Sequence, residues 1–219
     1  RGVNLTPSGD VLYGYTKEIL RLVAEAESAV TDVGSLANGQ INIGATPGIS
    51  VYLLPRWIGH FRSRYPQLTV TSNTGITPTI AEGVLSRRLD IGFVEGEIDG
   101  NADIHLGQTN LKEVTLNVVI GKGHPCWEKT VVPIENLDGQ PFISRQPGSQ
   151  TRIWMDAILK NHNITPRIIA EFDNPESIKH AVMAGMGVSI LPDYAIQMEL
   201  ANDTLRALPL EGIPLKRTL

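Results

Sequence analysis

The apolar residues Leu12, Tyr15, Ile19, Leu22, Ala26, Ala29, Val33 and Leu36 follow one another at alternating steps of three and four, a heptad row sustained for more than three repeats. Thr6-Pro7 supplies a start signal, because a Thr hydroxyl accepts an early backbone N–H and a Pro has no N–H to leave unpaired. Asn38-Gly39 supplies the stop. The spacing predicts one long helix over 6–38. Its narrow row, flanked by Lys17, Glu18, Glu25 and Glu27, suits a partner helix, with packing inside the same chain as the alternative.

Beyond that helix the period changes. Gln40 to Gly44 alternates as a strand does. An apolar-periodic stretch opens at Ser50 and runs through Leu53, Leu54, Trp57, Ile58 and Phe61 as a helix, and Leu68 to Thr71 is a second strand. Thr77-Pro78 starts another helix with a buried face at Ile80, Val84 and Leu85, and Leu89 to Val94 reads as a buried strand. The same order returns in strand Phe142-Ile143, a helix from Ser149, strand Ile168 to Phe172, a helix from Asn174-Pro175 and strand Val188 to Leu191. Two βαβαβ units therefore share one α/β chain. Between them lies the strand-like run Val114 to Ile120; after Pro192 come an apolar helix, Tyr194 to Leu200, and the run Leu205 to Leu210. If the tail packs on the first unit, the chain crosses twice between two lobes and makes a hinge and a cleft. In open α/β sheets ligands sit beyond the carboxyl ends of the strands, where this chain carries Thr46, Ser50, Thr77, Glu95, Ser149 to Arg152, and Asn174.

Composition narrows the functional classes. The chain has 219 residues, 42% hydrophobic and 19% charged, enough apolar surface for one large domain or two small ones. With 19 Lys plus Arg against 23 Asp plus Glu, it has no broad basic face for nucleic acid. One Cys forms no internal disulfide, no apolar run approaches a membrane span, and no secretory leader is evident, so a reducing cytoplasm is the expected compartment.

Several segments together resemble the LysR-type transcriptional regulators. Arg1 to Gly9 looks like the tail of a winged helix-turn-helix running into that family's linker helix. Gly39 to Gly44 with Leu54-Pro55, and Arg88 to Phe93, are similar to the start of its effector domain, and Ala184 to Pro192 to the return toward the first lobe. The resemblance implies a two-lobed type 2 periplasmic-binding-protein-like domain behind a long linker helix. It divides the chain into the wing tail (1–9), the linker and dimerisation helix (6–38), lobe I (39–115 and 192–219) and lobe II (116–191). It also implies homodimers, usually tetramers in the intact protein, and promoter DNA held by an N-terminal domain that this chain lacks. The fragment itself is expected not to bind DNA specifically. The end at Leu219 falls short of the final strand and helix of a full-length member. Pro141 to Arg152 resembles the branch that includes regulators of carbon fixation and sulfur metabolism, with Gln146 where Glu and Gln150 where Gly are usual.

The cleft chemistry follows from residue types. Gly148-Ser149 before a helix presents unpaired N–H groups, hydroxyls and a positive dipole end, with Gln150, Thr151 and Arg152 beside them, an anion site in outline. The alternative is that Ser149 only caps its helix and Arg152 lies in solvent. Opposite stand Thr46, Ser50 and Thr77, the last also readable as a cap. By register with the family, Gly48 and Thr77 fall where effectors are often contacted, and Glu95 where some members use Arg. A carboxylate repels an anion, so Glu95 either accepts from a ligand hydroxyl, pairs with an Arg, or is an exposed loop acid. His124-Pro125-Cys126 has no orienting third group for nucleophilic catalysis, the scattered His residues show no metal-ligand spacing, and Gly185-Met186-Gly187 completes no dinucleotide fingerprint. The expectation is a non-catalytic sensor of a small anionic effector, without metal, cofactor or membrane. A transport-type solute-binding protein and a dehydratase or deaminase on the same fold are the alternatives.

Overall fold

Thr6 opens the first helix as its hydroxyl implies. In the computed structural model, which describes residues 6–32, 39–98 and 106–219, Thr6 Oγ1 accepts from the Gly9 N–H at 3.1 Å, and α1 (Pro7–Asp32) follows. Residues 1–5 of the expected wing tail, and Val33 and Leu36 of the heptad row, lie outside the described residues. The row's described side chains are exposed: Leu12, Tyr15, Ile19 and Leu22 are 52 to 66% accessible. Val11 and Val23 are exposed beside them. Tyr13 and Leu20 are exposed as well, so the apolar arc is wider than the heptad row, about 200° at 100° per residue.

The first sheet is parallel, in the order β2-β1-β3, from β1 (Gln40–Ala45), β2 (Thr69–Thr74) and β3 (Ile91–Phe93). The connection from β1 to β2 is two helices rather than the one expected, α2 (Pro47–Tyr52) and α3 (Leu54–Arg64). It begins at Pro47 rather than Ser50, and it breaks at Leu53 because Pro55 has no N–H to continue the ladder. The return to β3 runs through α4 (Thr77–Leu85). β3 is shorter than predicted and half-exposed, because it is the edge of the described sheet.

β4 (Glu113–Gly121) joins the two lobes. Its first half pairs with β9 (Lys216–Thr218), and its second half lies between β7 (Ser189–Pro192) and β8 (Leu205–Leu208), all antiparallel. Burial follows the pairing: it alternates from Glu113 to Leu116, then is continuous from Val118 where neighbours flank both edges. Val114, Leu116, Val118 and Ile120 enter one core cluster, while Val119 enters a second with Ile178, Val182, Leu191 and Leu205. β8 pairs with Val118–Gly121, so the expected lobe I segment 192–219 is divided between the two halves of β4.

β5 (Pro141–Arg145) and β6 (Arg167–Phe172) are parallel and joined through α5 (Gln150–Asn161); α6 (Pro175–Met183) leads on to β7. The second unit is less parallel than predicted, since only Val188, just before β7, meets β5 by one parallel bridge with Phe142, and β7 itself pairs antiparallel with β4. The expected helix over Tyr194–Leu200 is a 3-10 turn (Asp193–Ala195) followed by α7 (Gln197–Ala201). Among the described residues no helix is long and apolar enough to cross a membrane.

Candidate functional site

Strand ends of both lobes converge on one cleft. Thr46, directly after β1, lines it with Pro47, Gly48, Ile76, Thr77 and Glu95 on one side and Arg145, Ser149, Gln150 and Thr151 on the other. The free volume is about 20 Å³, room for about one water molecule.

The polar groups are few and mostly buried. Glu95 is 6% exposed. Its Oε2 accepts from the Tyr194 hydroxyl at 2.7 Å, and its carbonyl accepts from Arg217 Nη2 at 3.0 Å. Arg217 Nη1 stands 3.9 Å from Glu95 Oε1, an ion pair without a hydrogen bond. Arg145, the last residue of β5, donates through Nη2 to the Asp173 carbonyl at 2.9 Å. Four buried atoms at or beside the cleft have no hydrogen-bond partner: Thr46 Oγ1, Glu95 Oε1, Arg145 Nε and Arg217 Nη1. Burial, followed by the Glu95 carboxylate, pushes the Tyr194 phenol well above its ordinary value, so it stays a donor. Burial lowers both guanidinia and the same carboxylate draws them back up; with so high a starting point both remain cationic.

Two glycines make this packing possible. A Cβ on Gly48 would lie 2.6 Å from the Tyr194 hydroxyl, and one on Gly96, at φ +87°, would overlap the Arg217 guanidinium. Any side chain at either position displaces the groups that hold Glu95.

The structure gathers Thr46, Gly48, Thr77, Glu95, Ser149, Gln150 and Thr151 in the cleft. Ser149 occupies the N-cap position of α5 without a side-chain capping bond, and Thr77 is the first residue of α4 rather than its cap. Capping therefore accounts for neither hydroxyl. Glu95 is buried and not an exposed loop acid. Three predicted residues lie elsewhere. Ser50 Oγ meets Thr74 Oγ1 at 2.8 Å on the exposed side. Asn174 caps α6 by accepting from the Ser177 N–H at 2.8 Å. Arg152 is neither in the cleft nor free in solvent, because it pairs with Glu171 and Asp156 and donates to the Arg145 carbonyl.

Arg145, Tyr194 and Arg217 were not among the predicted site residues. Arg145 ends a strand, the rule that located Thr46, so it was within reach; Tyr194 and Arg217 arrive from the tail and carry no local signal. His124 Nδ1 accepts from the Cys126 backbone N–H at 3.1 Å and the cysteine is buried, so the pair is a turn contact.

A second polar cluster ties the lobes beside the cleft. The Tyr52 hydroxyl on α2 donates to Glu176 Oε1 on α6 at 2.5 Å. Lys179, also on α6, reaches Glu176 at 2.9 Å and Glu199 of α7 at 2.7 Å, and its ammonium lies 4.9 Å from the Tyr52 ring centre. Burial alone would raise the Glu176 carboxyl; the Tyr52 and Lys179 hydrogen bonds outweigh it and hold it below its ordinary value. A carboxyl lowered in the folded state stabilises the fold above its unfolded pKa and loses that contribution as pH falls through the folded value. Tyr52→Phe is expected to cost about 1 kcal/mol at neutral pH and to make stability less steeply dependent on pH in the acid range. Thermal unfolding from pH 3 to 7 checks it: an acid limb unchanged from the parent contradicts the assignment.

A larger hollow of about 680 Å³ lies beside β3, β9 and α5, among Phe93, Leu111, Ile153, Trp154 and Lys216. Ile98 and Gly107 also line it, and no residue of β1, β5 or β6 reaches it.

Comparison with known proteins bears on this geometry. A family model described as LysR substrate binding domain matches residues 34–219. A probable RuBisCO transcriptional regulator of Phaeodactylum tricornutum is 32% identical over 220 residues, covering 99% of this chain and 72% of the relative. One of Trichormus variabilis is 32% identical over 222 residues, covering 100% of this chain and 66% of the relative. Among solved structures, the CcmR regulatory domain of Synechocystis PCC6803 in complex with 2-PG is similar at a TM-score of 0.74 and 27% identity, covering 82% of this chain and 85% of that one.

Proposed function

We propose, from the premise that this chain belongs to the LysR substrate-binding domain family, that its interlobe cleft is the effector site of a transcriptional regulator and takes a small anion. The observation that carries this is Arg145. It lines the cleft where the first residues of α4 and α5 converge, and its Nε is buried without a partner. A carboxylate, phosphate or sulfate oxygen supplies the missing acceptor, and the Ser149 and Thr151 hydroxyls add donors from one lobe and Thr46 or Thr77 from the other. No chemistry is catalysed: the cleft offers donors and one carboxylate already held by Tyr194, not an acid–base pair. A solute-binding protein or an enzyme on this fold is less well supported, because the named relatives are transcriptional regulators.

Ligand entry parts the lobes about β4, and the switch is worth only the ligand's differential affinity for the two arrangements. A tenfold to hundredfold bias requires about 1.4 to 2.8 kcal/mol. The exposed apolar arc of α1 supports self-association as a dimer, with tetramers and promoter binding in the cytoplasm left to the intact regulator.

Calorimetric titration of small carboxylates, phosphate and sulfate into the parent chain, Arg145→Gln and Ser149→Ala tests the cleft. Loss of the charged hydrogen bonds should weaken binding by roughly tenfold for Ser149→Ala and up to roughly a hundredfold for Arg145→Gln. The melting temperature of Ser149→Ala should change little. Parental affinity in both variants contradicts the assignment.

A further inference from the structure

We propose that the cleft is selective for a small monoanion that also carries a hydroxyl, and that Glu95 is the residue that demands the hydroxyl. The inference rests on the cleft being the effector site. Its starting point is an atom rather than a motif. Glu95 lines the cleft with its side chain 7% exposed; Oε2 is taken by Tyr194, and Oε1 is buried without a hydrogen-bond partner, Arg217 Nη1 standing 3.9 Å away. A carboxylate oxygen only accepts, so the group that completes it is a donor. Arg145 Nε is a donor in the same cleft and needs the opposite. One ligand satisfies both if it presents an anionic oxygen to Arg145 and an O–H to Glu95. The Thr46 hydroxyl, buried and unpartnered, accepts or donates to either group.

Charge decides between ligand classes. The charged side chains at the cleft and directly behind it are Arg145, partly buried with its Nε enclosed, and the buried Arg217 and Glu95, which together leave one net positive charge. Asp173 and Glu97 act on the two arginines from the exposed rim, where water and salt screen them. A monoanion balances the set of Arg145, Arg217 and Glu95. A dianion brings one negative charge too many next to Glu95, and an amino acid, with its own charges cancelled, leaves the positive charge uncompensated. A plain acid balances the charge but leaves Glu95 Oε1 desolvated without a donor, and sites built to hydrogen-bond a hydroxyl reject the analogue lacking it.

The test is calorimetry on the parent chain with matched pairs: glycolate against acetate, lactate against propionate, with glycerate, alanine and phosphoglycolate as further arms. The hydroxy acids should bind at least about tenfold tighter than their deoxy partners, and tighter than alanine or phosphoglycolate. Glu95→Gln, which keeps the shape and removes the charge, should bring the hydroxy-to-deoxy ratio toward one and favour phosphoglycolate. Arg145→Gln should weaken both members of each pair in the same proportion. If Glu95→Gln does not fold, Glu95→Asp, which retracts the same carboxylate by one methylene, carries the comparison. Pairs that bind equally to the parent, yet lose affinity in Arg145→Gln, overturn the hydroxyl inference and leave the cleft standing. Binding indifferent to Arg145→Gln, or no binding of any probe at millimolar concentration, overturns the cleft reading and this inference with it.

Discussion

Replacing Ile19 and Leu22 by Asp is expected to turn a dimer of this chain into monomers. Both side chains are more than half exposed on α1, on the same arc as Leu12 and Tyr15. A second helix laid along that arc would remove them from water, at about 25 cal/mol per Å² of apolar surface. Two carboxylates in the same seam would be buried without partners, a penalty of several kcal/mol against an interface whose gain is of similar size. Because neither residue is in a buried cluster of the effector lobes, the domain itself should unfold at the parental temperature. Sedimentation equilibrium is the check. A variant that keeps the dimer mass, or a parent that is already a monomer, removes the basis for pairing through α1.

Lys179→Met should cost about 3 kcal/mol of stability. The ammonium is 4% exposed, and it is the cation that holds Glu199 and Glu176 together. A methionine fills much of the same volume but leaves the largely buried Glu199 carboxylate facing Glu176, and removing one partner of a buried pair generally costs 3–5 kcal/mol. The lower end applies because Glu176 is 41% exposed and partly screened by water. The same change removes the cation from the Tyr52 ring, one of the contacts that cross from α6 to α2. Urea unfolding measures the loss. Adding Glu199→Leu should recover part of it, since a buried pair replaced on both sides by apolar groups is often tolerated. A cost below about 1 kcal/mol for Lys179→Met would show that Glu199 is solvated after all.

Much of the fold was legible because its signals are local. Thr6 caps where its hydroxyl predicts, β1, β4 and β6 fall on their apolar runs, and Asn174 caps α6. Local signals misled where tertiary packing intervened. The periodicity of Ser50 to Phe61 spans two helices, since period alone does not register the break imposed by Pro55. Tyr194 read as part of an apolar helix, yet its ring leaves the helical course to reach Glu95, 99 positions away in sequence. The site divides in the same way. Thr46, Thr77, Glu95 and Ser149 were found because strand ends and helix starts mark them. Arg217 was invisible: it comes from the last strand and takes its role only after β9 pairs with β4. Arg152 follows Ser149 closely in sequence, but on α5 it turns away to Glu171.

The central claim is that the effector sits between the lobes, and the position of a bound hydroxy acid tests it most directly. A crystal structure of the chain soaked with glycerate should show the acid between Thr46 and Thr77 on one side and Arg145 and Ser149 on the other, with its carboxylate on Arg145. Glycerate lodged in the larger hollow beside β3 and β9, with the interlobe cleft unchanged, would contradict it.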